Sequence, residues 1–153
     1  MAGKTTSLYT RVYVDSADGT VRNITASINN IGGLGVTADQ IDVSTFADTL
    51  KQYLNGLKDS NLTLAGPFND TALAASPSES GAHKVLAPLG GTNTATTVTI
   101  EIGSRAEPTN GDAKWSGEYV VNEYVVSGDM GNLNWSATLR PAFGTSTPAW
   151  STK

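Results

Sequence analysis

The chain has 153 residues, 39% hydrophobic and 16% charged, with 10 Lys and Arg against 14 Asp and Glu for a net charge of -4. That length suits a single domain that buries its core without cross-links, and low charge at ordinary apolar content argues against disorder. Cysteine is absent and histidine single, which excludes disulfides, thiol chemistry and any site needing two histidines in one chain, while the acid excess argues against a nucleic-acid binder, whose phosphate affinity needs a basic face.

The start, Met1-Ala2-Gly3-Lys4-Thr5-Thr6-Ser7, lacks the apolar run of a secretory signal. No stretch approaches the ~20 apolar residues of a membrane helix. A soluble product made in a cytoplasm and later built into something larger is expected, with no membrane partner. Leu8, Val12 and Val14 fall on even positions against Tyr9, Arg11 and Tyr13, the period of a half-buried strand. Asp18-Gly19 signals a hairpin, with residues 20–25 as the returning strand. Residues 29–35, Asn-Asn-Ile-Gly-Gly-Leu-Gly, read as a flexible loop, and residues 41–45 as a short strand. In residues 46–58 the apolar Phe46, Leu50, Tyr53, Leu54 and Leu57 recur at helix-like spacing, interrupted by Gly56. A structured loop with one helical turn is expected there.

Residues 61–66 return to strand, and the Ser-, Ala- and Pro-rich residues 67–80 read as loop. Ala82, Val85, Leu86 and Leu89 form one apolar stripe, which predicts a helix over 78–89 capped by Ser78 or Ser80 and limited by Pro88. Val98, Ile100 and Ile102 alternate with polar residues, and Asn110-Gly111 marks a turn. Residues 115–126 are apolar on both faces, the pattern of a strand covered on both sides. Leu133, Trp135, Ala137 and Leu139 form the clearest amphipathic strand. The Pro- and Thr-rich tail after Arg140, carrying Trp150, reads as an arm that folds back or packs on a neighbour. The sum is a mainly β chain: an antiparallel β-sandwich or open barrel with one flanking α-helix, a long assembly loop and arms. The domain spans 1–144 and the C-terminal arm 145–153.

Chemical constellations are missing. His83 reads as a boundary residue; Asp42, Asp48 and Asp59 match no calcium loop; Gly32-Gly33-Leu34-Gly35 lacks the Lys-Ser/Thr of a phosphate loop. Asn23-Ile24-Thr25 and Asn61-Leu62-Thr63 match the glycosylation pattern by chance. No catalytic, cofactor-binding or metal-ligating residues are assigned, and no enzyme is expected. A low-charge β domain with loops and arms suits an assembly protein.

The run Ile41-Asp42-Val43-Ser44-Thr45-Phe46 leads through Gly56-Leu57-Lys58-Asp59 into Asn61-Leu62-Thr63-Leu64-Ala65-Gly66. A strand pair follows later, from Gly117-Glu118-Tyr119-Val120-Val121-Asn122-Glu123-Tyr124-Val125-Val126 to Asn132-Leu133-Asn134-Trp135-Ser136-Ala137-Thr138-Leu139. Together they resemble the tail-tube (major tail) proteins of long-tailed bacteriophages, over the middle and last thirds of the chain. Residues 72–80 and the Thr/Pro-rich end depart from that pattern, and the extra immunoglobulin-like domain of some members is missing. The resemblance implies a structural virion protein of hexameric rings whose sheets join into one barrel, stacked into a tube that conducts genome DNA without binding it specifically. It implies a virion-tail location, partners in tape-measure, tail-terminator and baseplate or tip proteins, and kinship with contractile-tail and secretion-system tubes.

On that reading the candidate inter-ring contacts are Phe46, Leu50, Tyr53 and Leu54, and the candidate arm contact is Trp150. The candidate lumen residues are Glu101, in a polar row with Thr97 and Thr99, and Glu123, alternatively an interface partner for Arg140. Excess acid suits a DNA conduit, and equally suits plain solubility. Another tail or tail-terminator component stays open. So does a monomeric β-sandwich binding module with Trp115, Trp135 or Trp150 as a stacking platform, although Trp135 shares its face with Leu133 and Leu139 and suits the core.

Overall fold

The computed structural model describes residues 7–104 and 106–153. The strands are β1 (Thr10–Asp15), β2 (Val21–Asn23), β3 (Asn30–Gly32), β4 (Thr37–Asp42), β5 (Tyr53–Asp59) and β6 (Leu62–Pro67), then β7 (Thr96–Ile102), β8 (Ala113–Asp129), β9 (Asn132–Pro141) and β10 (Ala149–Thr152). Among the described residues one short α-helix, α1 (Ala82–Leu86), occurs, between β6 and β7. Among the described residues no helix is long and apolar enough to cross a membrane.

The main sheet is antiparallel and 8-stranded, in the order β2-β1-β7-β8-β9-β6-β3, with β10 added beside β8. It does not close into a barrel. Strands β4 and β5 form a separate 2-stranded sheet. The core lies on one face of the main sheet, because alternate residues of each strand share a face. Val12 and Val14, Leu62 and Leu64, Val98 and Ile100, Trp115, Tyr119 and Val121, and Trp135, Ala137 and Leu139 are buried there. Ala82, Val85, Leu86 and Leu89 of the helical segment complete the cluster. Burying each large apolar side chain contributes roughly 1.5–3 kcal/mol.

Several elements depart from the sequence reading. Leu8 belongs to a 3-10 turn before β1 and is exposed, off the period of Val12 and Val14. Strand β3 lies inside the stretch expected to be loop. The helical turn expected in 46–58 is absent; residues 53–59 are a strand paired with β4. The helix is shorter than 78–89 and continues only as a 3-10 turn over Ala87–Leu89. Neither serine caps it: Gly81 is the N-cap, and the Ser80 hydroxyl accepts from the Ala74 N–H at 2.9 Å. A side chain at Gly81 would meet the Asn69 carbonyl at 2.5 Å.

Strand β8 is not covered on both sides. Its pairing with β9 slips between Val121 and Glu123, a bulge at Asn122. Before the bulge Tyr119 and Val121 point to the core; after it Tyr124 does, half-buried and stacked on Trp135 at 5.9 Å. The apolar character of both faces is one core row that changes parity.

The C-terminal arm takes the first of its two expected courses and folds back onto the domain. Residues 149–152 pair with β8 in register Trp150↔Trp115, and the two indole rings meet edge to face at 5.2 Å. Pro148 is buried against Gly117, where a Cβ would fall 2.6 Å from the proline ring. Trp150 thus packs on its own domain while staying 49% exposed. Replacing Trp150 by Ala removes this aromatic pair and is expected to cost about 1–3 kcal/mol, read as a lowered urea midpoint of the dispersed subunit.

Candidate functional site

Three surfaces carry what chemistry the molecule has. The first is the β4–β5 ribbon. Its register runs Ile41↔Leu54 and Asp42↔Tyr53, with an irregularity between Ala38 and Gln40. All four sequence-predicted contact residues are exposed on it. Phe46 is fully exposed, Leu50 76%, and Tyr53 and Leu54 at least half; Leu57 and Ile41 are exposed beside them. The turn is nevertheless organised by its own hydrogen bonds. Val43 N–H donates to the Gln52 carbonyl at 2.9 Å, Gln52 N–H to the Ser44 hydroxyl at 2.7 Å, and Thr45 N–H to the Asp48 carboxylate at 2.6 Å. The Ser44 N–H holds the Asp42 carboxyl below its ordinary range.

At its root the ribbon is tied to the body. The Arg140 guanidinium donates to the Asp59 carboxylate at 2.6 Å, so Arg140 is occupied within the subunit. Ser60 meets the buried Tyr119 hydroxyl at 3.0 Å. Gly33 takes φ +80°, and a Cβ there would collide with the Asn61 carbonyl.

The second surface is the polar face of the sheet. Cross-strand rows read Arg11–Glu101–Lys114–Ser151 and Tyr13–Thr99–Ser116–Ala149. Glu101 shares this face with Thr97 and Thr99, as its alternation predicts. It is only 9% exposed, however, and the Lys153 ammonium lies 2.9 Å from its carboxylate. That hydrogen bond raises the Lys153 pKa above the ordinary 10.5. Arg11 pairs with Glu107. Glu123 follows the bulge and is exposed. Asp15 and Glu118 approach each other around Thr97, whose hydroxyl donates to Glu118. Burial, and secondarily the Glu118 charge, raise the Asp15 carboxyl above its ordinary 3.8.

The third surface escaped sequence reasoning. A cleft of about 450 Å³ opens between β1 and β3, lined by Leu8, Arg11, Ile28, Ile31, Leu34 and Ile102 among others. Its one available signal was Ile31 and Leu34 set among glycines, apolar residues in a stretch otherwise composed for a solvated loop. Trp135 and Trp115 are core residues and offer no stacking platform; Trp135 donates its indole N–H to the Ser27 carbonyl at 3.0 Å. His83 sits at the boundary, its Nδ1 3.1 Å from the Tyr124 hydroxyl. No cluster of metal-ligating side chains occurs among the described residues.

No protein-family model matches the chain, and no curated protein matches it in sequence. Solved structures do match in fold. A chain from a structure described as the virion of a native gene transfer agent particle superposes with TM-score 0.70 at 12% identity, covering 97% of this chain and 99% of that one. A chain from the tail of an empty particle of that agent, refined with C6 symmetry, gives 0.64 at 16% identity over 95% and 100%. A chain from the sheath/tube terminator of an extracellular contractile injection system gives 0.65 at 14% over 97% and 96%. The chain has the fold of a tail tube protein.

The raised Asp15 pKa has a definite sign. Its protonated form favours the fold below pH 3.8, and that favour is lost as pH rises through the higher folded value. Asp15→Asn is therefore expected to raise the urea midpoint at pH 7, with the gain fading as the pH falls through the raised folded value and gone below about pH 3.8.

Proposed function

We propose that the chain is a non-enzymatic structural subunit of a virion tail tube, polymerising as stacked hexameric rings that enclose a channel for genome DNA. The observation that carries this reading is the β4–β5 ribbon. A subunit with a tail-tube fold presents Phe46, Leu50, Tyr53 and Leu54 to solvent on an element that its own core does not cover. Large exposed apolar side chains gathered on one projection mark an interaction site. Ring closure fits the open sheet, whose edge strands then pair with neighbours. The C6 symmetry of one structural neighbour supports the hexamer.

The sheet's polar face lines the channel in this proposal, because the helix covers the other face. Glu123 and the Asp15–Glu118 pair supply its negative charge, while Glu101 adds little net charge beside Lys153. Like charge keeps a passing duplex from adhering. Trp150 presents its exposed half at a contact between copies. Tape-measure, terminator and baseplate or tip proteins would be its partners in the same tail. The similarity to a sheath/tube terminator chain favours one alternative, a cap that ends a tube. Negative-stain microscopy separates the two: tubes of indefinite length support the subunit, and single closed rings support the cap.

Phe46→Asp and Leu50→Asp should each abolish polymerisation while leaving the dispersed subunit within about 0.5 kcal/mol of its original stability, measured by microscopy and urea unfolding. Phage carrying Glu123→Lys should assemble tails of normal appearance and deliver DNA poorly, read as titre against tail count.

A further inference from the structure

We infer that β10 is a strap locked by Lys153, which closes the edge of β8 in the free subunit and keeps that edge from pairing with another chain. The inference does not depend on the tube reading. Strand β10 is 4 residues long, pairs with β8 alone and has no buried residue. So short a strand with one neighbour does not hold by its ladder. Pro148 packs on Gly117 and Trp150 on Trp115. The remaining hold is Lys153.

Lys153 is engaged through backbone and side chain together. Its N–H donates to the Asp112 carbonyl at 2.9 Å, and its carbonyl accepts from the Gly111 N–H at 3.1 Å. These bonds carry the ladder one step past Thr152↔Ala113. Its ammonium donates to the Pro108 carbonyl at 3.0 Å and lies 2.9 Å from the Glu101 carboxylate. Arg11 and Lys114 stand across from Glu101 in the neighbouring strands. Arg11 pairs with Glu107, however, and the ion pair of Glu101 is with Lys153. If Lys153 withdrew while the strap stayed in place, a carboxylate only 9% exposed would lose its counter-charge, a costly state. Strap and lysine therefore leave together. Their departure uncovers the backbone edge of residues 113–116 and the side of Trp115, a residue 1% exposed while the strap is docked. An unpaired edge with an aromatic side chain is a template for a foreign strand. The docked strap is an autoinhibitory contact, itself short and preceded by Pro148, which makes it a poor template in turn.

Amide exchange of the dispersed subunit in dilute urea reads the lock. The amides at 111 and 153 are expected to exchange through one shared opening, roughly tenfold or more faster than those of β7. Lys153→Ala is expected to speed both by roughly a further tenfold or more, with β7 unchanged. It should also turn dispersed subunits into irregular aggregates, seen by negative-stain microscopy. Adding Glu101→Gln to Lys153→Ala removes the stranded charge and is expected to restore most of the protection and the dispersed state. Lost lysine packing alone would show no such rescue. Exchange at 111 and 153 only through global unfolding of the unaltered chain overturns the strap as a separate unit, and that measurement needs no variant to fold. Unchanged exchange in Lys153→Ala, or no rescue by Glu101→Gln, overturns the lock. Fast exchange without aggregation overturns the guarding of the edge. Tube formation by the unaltered chain is scored separately by microscopy, so failure of the tube reading is distinguished from failure of the strap.

Discussion

Strand β8 runs for 17 residues with β7 on one side and β9 and β10 in succession on the other, so every other part of the sheet is positioned through it. Strict alternation along it would carry the row of Trp115, Tyr119 and Val121 on to Glu123. A carboxylate in that core would cost several kcal/mol. The bulge at Asn122 changes the parity, leaving Glu123 in water and bringing Tyr124 onto Trp135. The same strand satisfies its one deeply buried hydroxyl. Tyr119 receives the Trp115 indole N–H at 3.0 Å and meets Ser60 at the same distance. Core, polar face and ribbon root are thereby fixed relative to one another by a single strand.

The buried core and the exposed apolar ribbon are placed on different elements. The buried cluster is confined to the main sheet and the helical segment, and β4 and β5 contribute nothing to it. The ribbon holds its shape through its own ladder and turn hydrogen bonds, so its apolar residues are free of the folding constraint. That separation lets the ribbon's exposed residues vary without loss of the fold. It also makes the isolated subunit carry an exposed apolar projection, which a fold selected only for monomer stability would have trimmed.

Where burial sets the pattern, the fold was legible in the sequence. The alternation in β7 and β9 identified those strands, and Trp135 was rightly placed in the core, because one face of each is pressed against the interior. Where burial is absent, the pattern had nothing to report. All residues of β10 are exposed, so Ala149–Thr152 carries no period. The ribbon has no buried face either, and the chance spacing of Leu50, Tyr53, Leu54 and Leu57 resembled a helix. The exposure of Phe46, Leu50, Tyr53 and Leu54 was foreseeable from a segment too short to bury them. The Lys153 partner of Glu101 was not, since it joins residues far apart in the chain.

The order of strands also separates events in time. Strands β7, β8 and β9 form a meander of neighbours in sequence, and the β4–β5 ribbon is likewise local. Strand β1, by contrast, pairs with β7 across most of the preceding chain, as in Val14↔Val98. Local pairings close first and long loops later. During synthesis the apolar tip is therefore complete before β7 exists to hold β1, and the β1–β7 pairing that frames the cleft waits for the second half of the chain. A nascent chain thus carries its apolar tip outside a core that only the second half of the sequence can close.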